Sequence, residues 1–99
     1  MATYNGATYL AESITSILSQ NFQDWELLIV DDNSADNSVE IISRFSDSRI
    51  RLLRTSENYG LVATRNRIMD ESRGAFLAWL DQDDLASKDR LSTQVQFLE

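Results

Sequence analysis

The chain has 99 residues, 42% of them hydrophobic, and nine basic against 16 acidic residues give a formal charge of −7. That fits one small domain with a packed core and argues against nucleic acid or anionic lipid as a partner. Cysteine and histidine are both absent, which excludes disulfides, thiolate and imidazole metal sites, and Ser-His-Asp or Cys-His catalysis.

Chemistry therefore has to rest on carboxylates, arginines, hydroxyls, amides or a bound metal. A phosphate ligand would need local cations, a metal or backbone N–H groups, since the overall field repels it. No apolar run approaches the ~20 residues of a membrane span, and no signal peptide, repeat or linker is legible.

Residues 1–6 read as a turn, marked by Asn5-Gly6. Residues 7–20 read as a helix, with Leu10, Ile14, Ile17 and Leu18 on one stripe of a 3.6 period. Residues 25–30 form a short apolar run, β-branched at its end, and predict a buried strand. It runs into Asp31-Asp32-Asn33-Ser34. Those residue types are favoured in turns and at helix N-caps, so the acids have a purely structural reading as well. An EF-hand loop is excluded because its glycine and terminal glutamate are missing at the required spacings.

A helix is predicted over 36–45, with Val39, Ile42 and Phe45 at steps of three. A strand over 50–54 alternates enough to lie near a sheet edge. A loop over 55–60 ends in Gly60, and a helix over 61–72 follows, with Leu61, Ala63 (or Thr64) and Ile68 inward. Arg65 falls in its first turns, where a phosphate would meet both a helix N-terminus and a guanidinium; a solvated arginine is the plainer alternative. Residues 75–80 are apolar on both alternating faces and predict a strand buried on both sides. Residues 87–98 predict a last helix, with Leu91, Val95 and Leu98 on one face.

Between that strand and that helix lies Asp81-Gln82-Asp83-Asp84. In an extended chain Asp81 and Asp83 point the same way. Convergent carboxylates with open positions suit Mg²⁺ or Mn²⁺, with a substrate's phosphates completing the shell. The alternative is that they cap the next helix. The α/β alternation predicts a Rossmann-like parallel sheet with helices on both faces. In such a sheet the N-terminal turn, Asp31-Asp32 and residues 81–84 would line one crevice at the strands' carboxyl ends.

Three blocks carry a family resemblance. They are Ala2-Thr3-Tyr4-Asn5-Gly6 with residues 10–14 and 16–20; residues 25–34; and Asn58, Gly60, Arg65-Asn66 and Gly74 with Leu80-Asp81-Gln82-Asp83-Asp84. Spanning nearly the whole chain, they resemble the inverting nucleotide-sugar glycosyltransferases of family two, in the donor-binding half of their GT-A fold. The resemblance implies that Thr3 and Tyr4 contact the nucleotide base and that Asp32 hydrogen-bonds it. Asp81-Gln82-Asp83 corresponds to the DXD motif. There Asp81 would meet ribose or metal, and Asp83 would hold Mg²⁺ or Mn²⁺ against the diphosphate. Asn58 and Arg65 are further donor-site residues by the same resemblance.

The partners implied are a nucleoside diphosphate sugar and, in the complete enzyme, a saccharide or lipid-linked acceptor, as in cell-envelope polysaccharide biosynthesis. The expected compartment is cytoplasmic, membrane-peripheral in the complete enzyme. In the family a first, central strand precedes the Thr3-Tyr4-Asn5 turn, and the catalytic base follows the DXD motif at a distance. Residues 1–99 are accordingly expected to be a partial, donor-binding domain with that strand largely missing. Such a domain would lack the catalytic base and turnover of its own, with its catalytic residues left unassigned, and be prone to self-association through unpaired strand edges. Two other readings stay open: a nucleotidyltransferase-like domain, which would want a glycine- and lysine-rich phosphate loop, and a non-catalytic Mg²⁺-binding α/β module.

Overall fold

The computed structural model describes residues 1–98. Its elements are β1 (Ala2–Thr3), α1 (Ala7–Leu18), β2 (Leu27–Asp31), α2 (Ser38–Ser43), β3 (Ile50–Arg54), α3 (Leu61–Glu71) and α4 (Arg90–Leu98). The strands form one parallel sheet in the order β1-β2-β3. β2 is central because it is the most apolar strand, and all five of its residues are buried.

Its alternation divides the core in two. Leu27 and Ile29 pack with Leu10, Ile14 and Ile17 of α1 and Ile42 of α2. Leu28 and Val30 pack with Ile68 of α3. The result is three layers, α1 and α2 on one face of the sheet and α3 on the other. Burying each of these aliphatic side chains contributes about 1.5–3 kcal/mol. The stripe expected for α1 is the buried one. On α3 the inward residues are Thr64 and Ile68, whereas Leu61 is exposed. β3 lies at the sheet's edge, as its alternation predicts.

Two expectations are corrected. The N-terminal residues are more than a turn. Ala2 and Thr3 pair with Val30 and Asp31, Val30 N–H donates to Met1 O at 3.0 Å, and Asp32 N–H donates to Thr3 O at 2.9 Å. This flank of β2 is therefore covered at its carboxyl end, where an open inner edge was expected.

The second correction is larger. Among the described residues no strand forms over 75–80. Leu80 is buried, but Phe76 and Leu77 are 47% and 44% exposed. A strand needs an edge to pair with as well as apolar side chains. The neighbouring edge is β1, only two residues long, and the backbone of Tyr4 just past it is taken by the Gln82 side chain, as described below. α4 shares this looseness: it starts at Arg90 and buries none of its residues.

Candidate functional site

A cleft of about 340 Å³ opens at the carboxyl ends of β1 and β2. The parallel sheet delivers the N-terminal turn and the β2 end to the same place, and α3 begins beside them. The seven site residues read from the sequence all line it: Thr3, Tyr4, Asp32, Asn58, Arg65, Asp81 and Asp83. Ala2, Gly60, Leu61, Thr64 and Gln82 complete the walls.

The turn carrying Tyr4 is held on one side by the β2–α2 loop. Asn5 sits at φ 49°, a left-handed conformation that Asn tolerates better than most residues. Its N–H donates to Ser34 Oγ at 2.9 Å, and its Oδ1 accepts from Ala35 N–H at 2.8 Å. Ser34 is itself fixed by Asp31, whose carboxylate accepts from its N–H at 3.0 Å and its hydroxyl at 2.5 Å. Asp31 thus organises the turn, the structural reading of that acid. Tyr4 is left 45% exposed with its ring available at the cleft.

Asp32 is 4% exposed and ties down the loop after β3. Oδ1 accepts from Tyr59 N–H at 2.9 Å and Thr55 Oγ1 at 3.0 Å, and Oδ2 accepts from Gly60 N–H at 2.8 Å. Burial pushes this carboxyl up, but the Tyr59, Gly60 and Thr55 donors together bring it below its ordinary 3.8. Gly60, at φ 92°, is the residue before α3 and needs the freedom glycine has there. The loop so fixed presents Asn58 and the start of α3 to the cleft.

Opposite stands the acidic turn. Asp81, Asp83 and Asp84 each offer a carboxylate oxygen, all within 4.8 Å of one another, and all three are exposed. Asp84 joins the two acids singled out by the DXD spacing, because the turn closed by Asp84 N–H donating to Asp81 O at 3.1 Å folds it back. An all-oxygen, carboxylate-rich set fits a hard divalent cation such as Mg²⁺ or Mn²⁺. The Arg65 guanidinium reaches Asp81 at 3.6 Å and lies 5.8 Å from the centroid of the Trp79 ring. The pair is solvent-exposed and contributes little stability. It does keep a cation at the rim of the cleft.

Other residues at the site were passed over in the sequence. Gln82, the spacer of the DXD triplet, bonds to Thr3 and to both the N–H and the C=O of Tyr4. Ser13 and Ser16 on α1, and Gln20 just past its end, hold the segment beyond it. Ser13 Oγ lies 2.8 Å from Gln82 O and 2.6 Å from Asp84 O; Ser16 Oγ accepts from Ala86 N–H at 3.0 Å. Gln20 Nε2 donates to Ser87 O at 2.6 Å, and its Oε1 accepts from Leu91 N–H at 3.0 Å. The available signal was the polar spacing i, i+3, i+7 beside the apolar stripe of α1.

A sequence model described as "Glycosyl transferase family 2" matches residues 1–99. The chain is 38% identical to the UDP-Glc:alpha-D-GlcNAc-diphosphoundecaprenol beta-1,3-glucosyltransferase WfgD of Escherichia coli, over 99% of this chain and 39% of that protein. Among solved structures it is similar to S. aureus TarS 1-349 in complex with UDP, with TM-score 0.92 and 27% identity over 98% of this chain and 30% of that one. It also shares the fold of the mannosyltransferase PcManGT of Pyrobaculum calidifontis, crystallised with GDP-Man and Mn²⁺, with TM-score 0.89 and 24% identity over 98% of this chain and 30% of that one. The chain spans about two fifths of the length of the curated relatives it matches.

Proposed function

The chain belongs to glycosyl transferase family 2 and has a GT-A fold, and on that premise we propose that its cleft binds the nucleoside diphosphate of a sugar donor. The observation that carries this reading is the meeting on one cleft of an exposed aromatic, a helix N-terminus with an arginine, and Asp81 and Asp83 of a carboxylate triplet. The resemblance to TarS, crystallised with UDP, supports it.

In this reading Tyr4 supplies a stacking face for the base and Thr3 lies beside it. Asp32 lines the same cleft, and the lone pair that Tyr59, Thr55 and Gly60 leave unused on its carboxylate accepts from the base. The first turn of α3 and Arg65 attract the diphosphate through unpaired N–H groups and a planar cation. Asn58 offers an amide to the ribose or phosphate side. Asp81 and Asp83, with Asp84, hold Mg²⁺ or Mn²⁺. The bound cation would neutralise charge on the departing nucleoside diphosphate. The protein's own contribution is orientation. Arg65 is paired to Asp81 and is therefore held where the diphosphate would lie.

The activity is sugar transfer from a nucleoside diphosphate to a saccharide or lipid-linked acceptor; WfgD, by its name, uses a diphosphoundecaprenol acceptor. In this reading residues 1–99 supply the donor-binding part of that activity. Working beside a membrane suits a lipid-linked acceptor, and no helix of the described residues is long and apolar enough to cross one.

Thermal denaturation in Mn²⁺ with UDP, GDP and dTDP tests the proposal. One nucleotide should raise the midpoint, stabilising by about 2.7 kcal/mol at a hundredfold excess over Kd. The shift should vanish without metal and in Asp83→Ala. A cooperative transition that none of the three moves would overturn donor binding by this chain.

A further inference from the structure

We infer that Gln82 is a positioning residue that sets the spacing between the base-binding turn and the metal-holding carboxylates. The inference deepens the donor-site reading and rests on it. Gln82 Oε1 accepts from Thr3 Oγ1 at 2.5 Å and from Tyr4 N–H at 2.9 Å, while its Nε2 donates to Tyr4 O at 3.2 Å. One side-chain amide thus satisfies both backbone groups of Tyr4, the residue just after β1, as a neighbouring strand would. It does so from between Asp81 and Asp83. The residue that separates the two acids is the one that grips the aromatic.

The grip is rigid at both ends. Gly6 leaves room for it: a Cβ there would lie 2.7 Å from Gln82 Cδ and 2.9 Å from Thr3 Oγ1. At the other end, Gln82 O lies 2.8 Å from Ser13 Oγ, on a fully buried residue of α1. No strand pairing fixes this part of the chain, so the amide has no regular ladder to back it up. A nucleoside diphosphate bound at both ends must span from Tyr4 to the carboxylates. Fixing that distance in advance spares the ligand the cost of ordering it. The consequence is coupling: metal and nucleotide strengthen each other only while the two halves are held in register.

The test compares Mn²⁺ affinity alone with nucleoside diphosphate affinity in the presence and absence of Mn²⁺. The nucleotide is whichever of UDP, GDP and dTDP the unaltered chain binds. Gln82→Met keeps the length of the side chain and removes every donor and acceptor. Gly6→Ala leaves Gln82 in place and pushes the amide off from the other side, at φ −96°, which alanine adopts freely. In both variants the factor by which Mn²⁺ improves nucleotide binding should fall about tenfold. Mn²⁺ binding alone should stay within about twofold. Hydrogen exchange of the Tyr4 amide should speed up in both without any ligand. An unchanged metal–nucleotide factor, or an unchanged Tyr4 amide, overturns the inference. So does a loss of Mn²⁺ binding as large as the loss of nucleotide binding, which would mean that Gln82 only shapes the acidic turn. Failure of the donor-site reading looks different, because the unaltered chain would then bind none of the three nucleotides.

Discussion

Residues 1–72 and residues 73–98 are held together by different forces. The first part is a sheet with a helix layer on each face, and its strands bury aliphatic side chains on both sides. The second part is as apolar where it counts, yet most of Ala75–Trp79 faces solvent and α4 buries nothing. What attaches it is one apolar anchor, Leu80 in the core beside Leu10 and Ile14, and a set of polar contacts: Ser13 and Ser16 on α1, Gln20 just past its end, and Gln82 on the N-terminal turn. The acidic turn belongs to this second part. Half of the candidate site thus stands on a packed core and half on a single buried leucine, Leu80, and side-chain-to-backbone hydrogen bonds.

That contrast can be broken at several points. The largest effect is expected at Asp32, on the packed side. Asp32→Asn turns an amide NH₂ toward N–H donors and should cost about 3 kcal/mol at neutral pH. The cost should depend on pH. The folded carboxyl lies below its ordinary 3.8, so its stabilisation is full above that value and is lost as the pH falls through the lower folded value. Urea titrations from pH 7 to pH 2 should show the two proteins converging in acid. A constant gap would show that charge is not what Asp32 contributes.

Gln20→Ala should cost less, about 2 kcal/mol, by leaving Ser87 O and Leu91 N–H without their partner. Its effect should be local. Amide exchange should rise over 84–91 and stay unchanged in β2, and uniform acceleration would mean that the two parts unfold as one. The smallest effect is expected at the exposed apolar run. Phe76→Ser should change stability by no more than about 0.5 kcal/mol, as surface substitutions do, whereas a buried phenylalanine would lose about 3 kcal/mol or more. A loss of that larger size in a thermal or urea melt would mean that Phe76 is covered in solution.

The particular residues explain what could be read in advance. The stripe of Leu10, Ile14 and Ile17 and the run Leu27–Val30 are patterns that burial imposes on any sequence, and the structure buries them all. That Asp32, Asp81 and Asp83 would share one crevice with the N-terminal turn followed from their places at strand ends, whereas Thr3 and Asn58 were named through the family resemblance alone; all seven line the cleft. Gln82 was not legible. As a letter between two aspartates it carries no period, and its importance lies in a partner 78 residues away. Ser13, Ser16 and Gln20 were overlooked for the same reason. Serine and glutamine on a helix are ordinary surface residues until something is laid across them.

The sequence by itself determined the alternation of strands and helices, the apolar faces that build the core, and the carboxylates gathered past Leu80. Each follows from chain-local physics: side-chain period, turn chemistry and charge. Only the tertiary structure decided whether the run Ala75–Leu80 became a strand, because an apolar pattern states a wish for burial and cannot supply the neighbouring edge that pairing needs. It also decided that Tyr4 and the acidic turn sit face to face, held by one glutamine amide, because that contact joins residues 78 apart in a chain whose local patterns say nothing of the pairing.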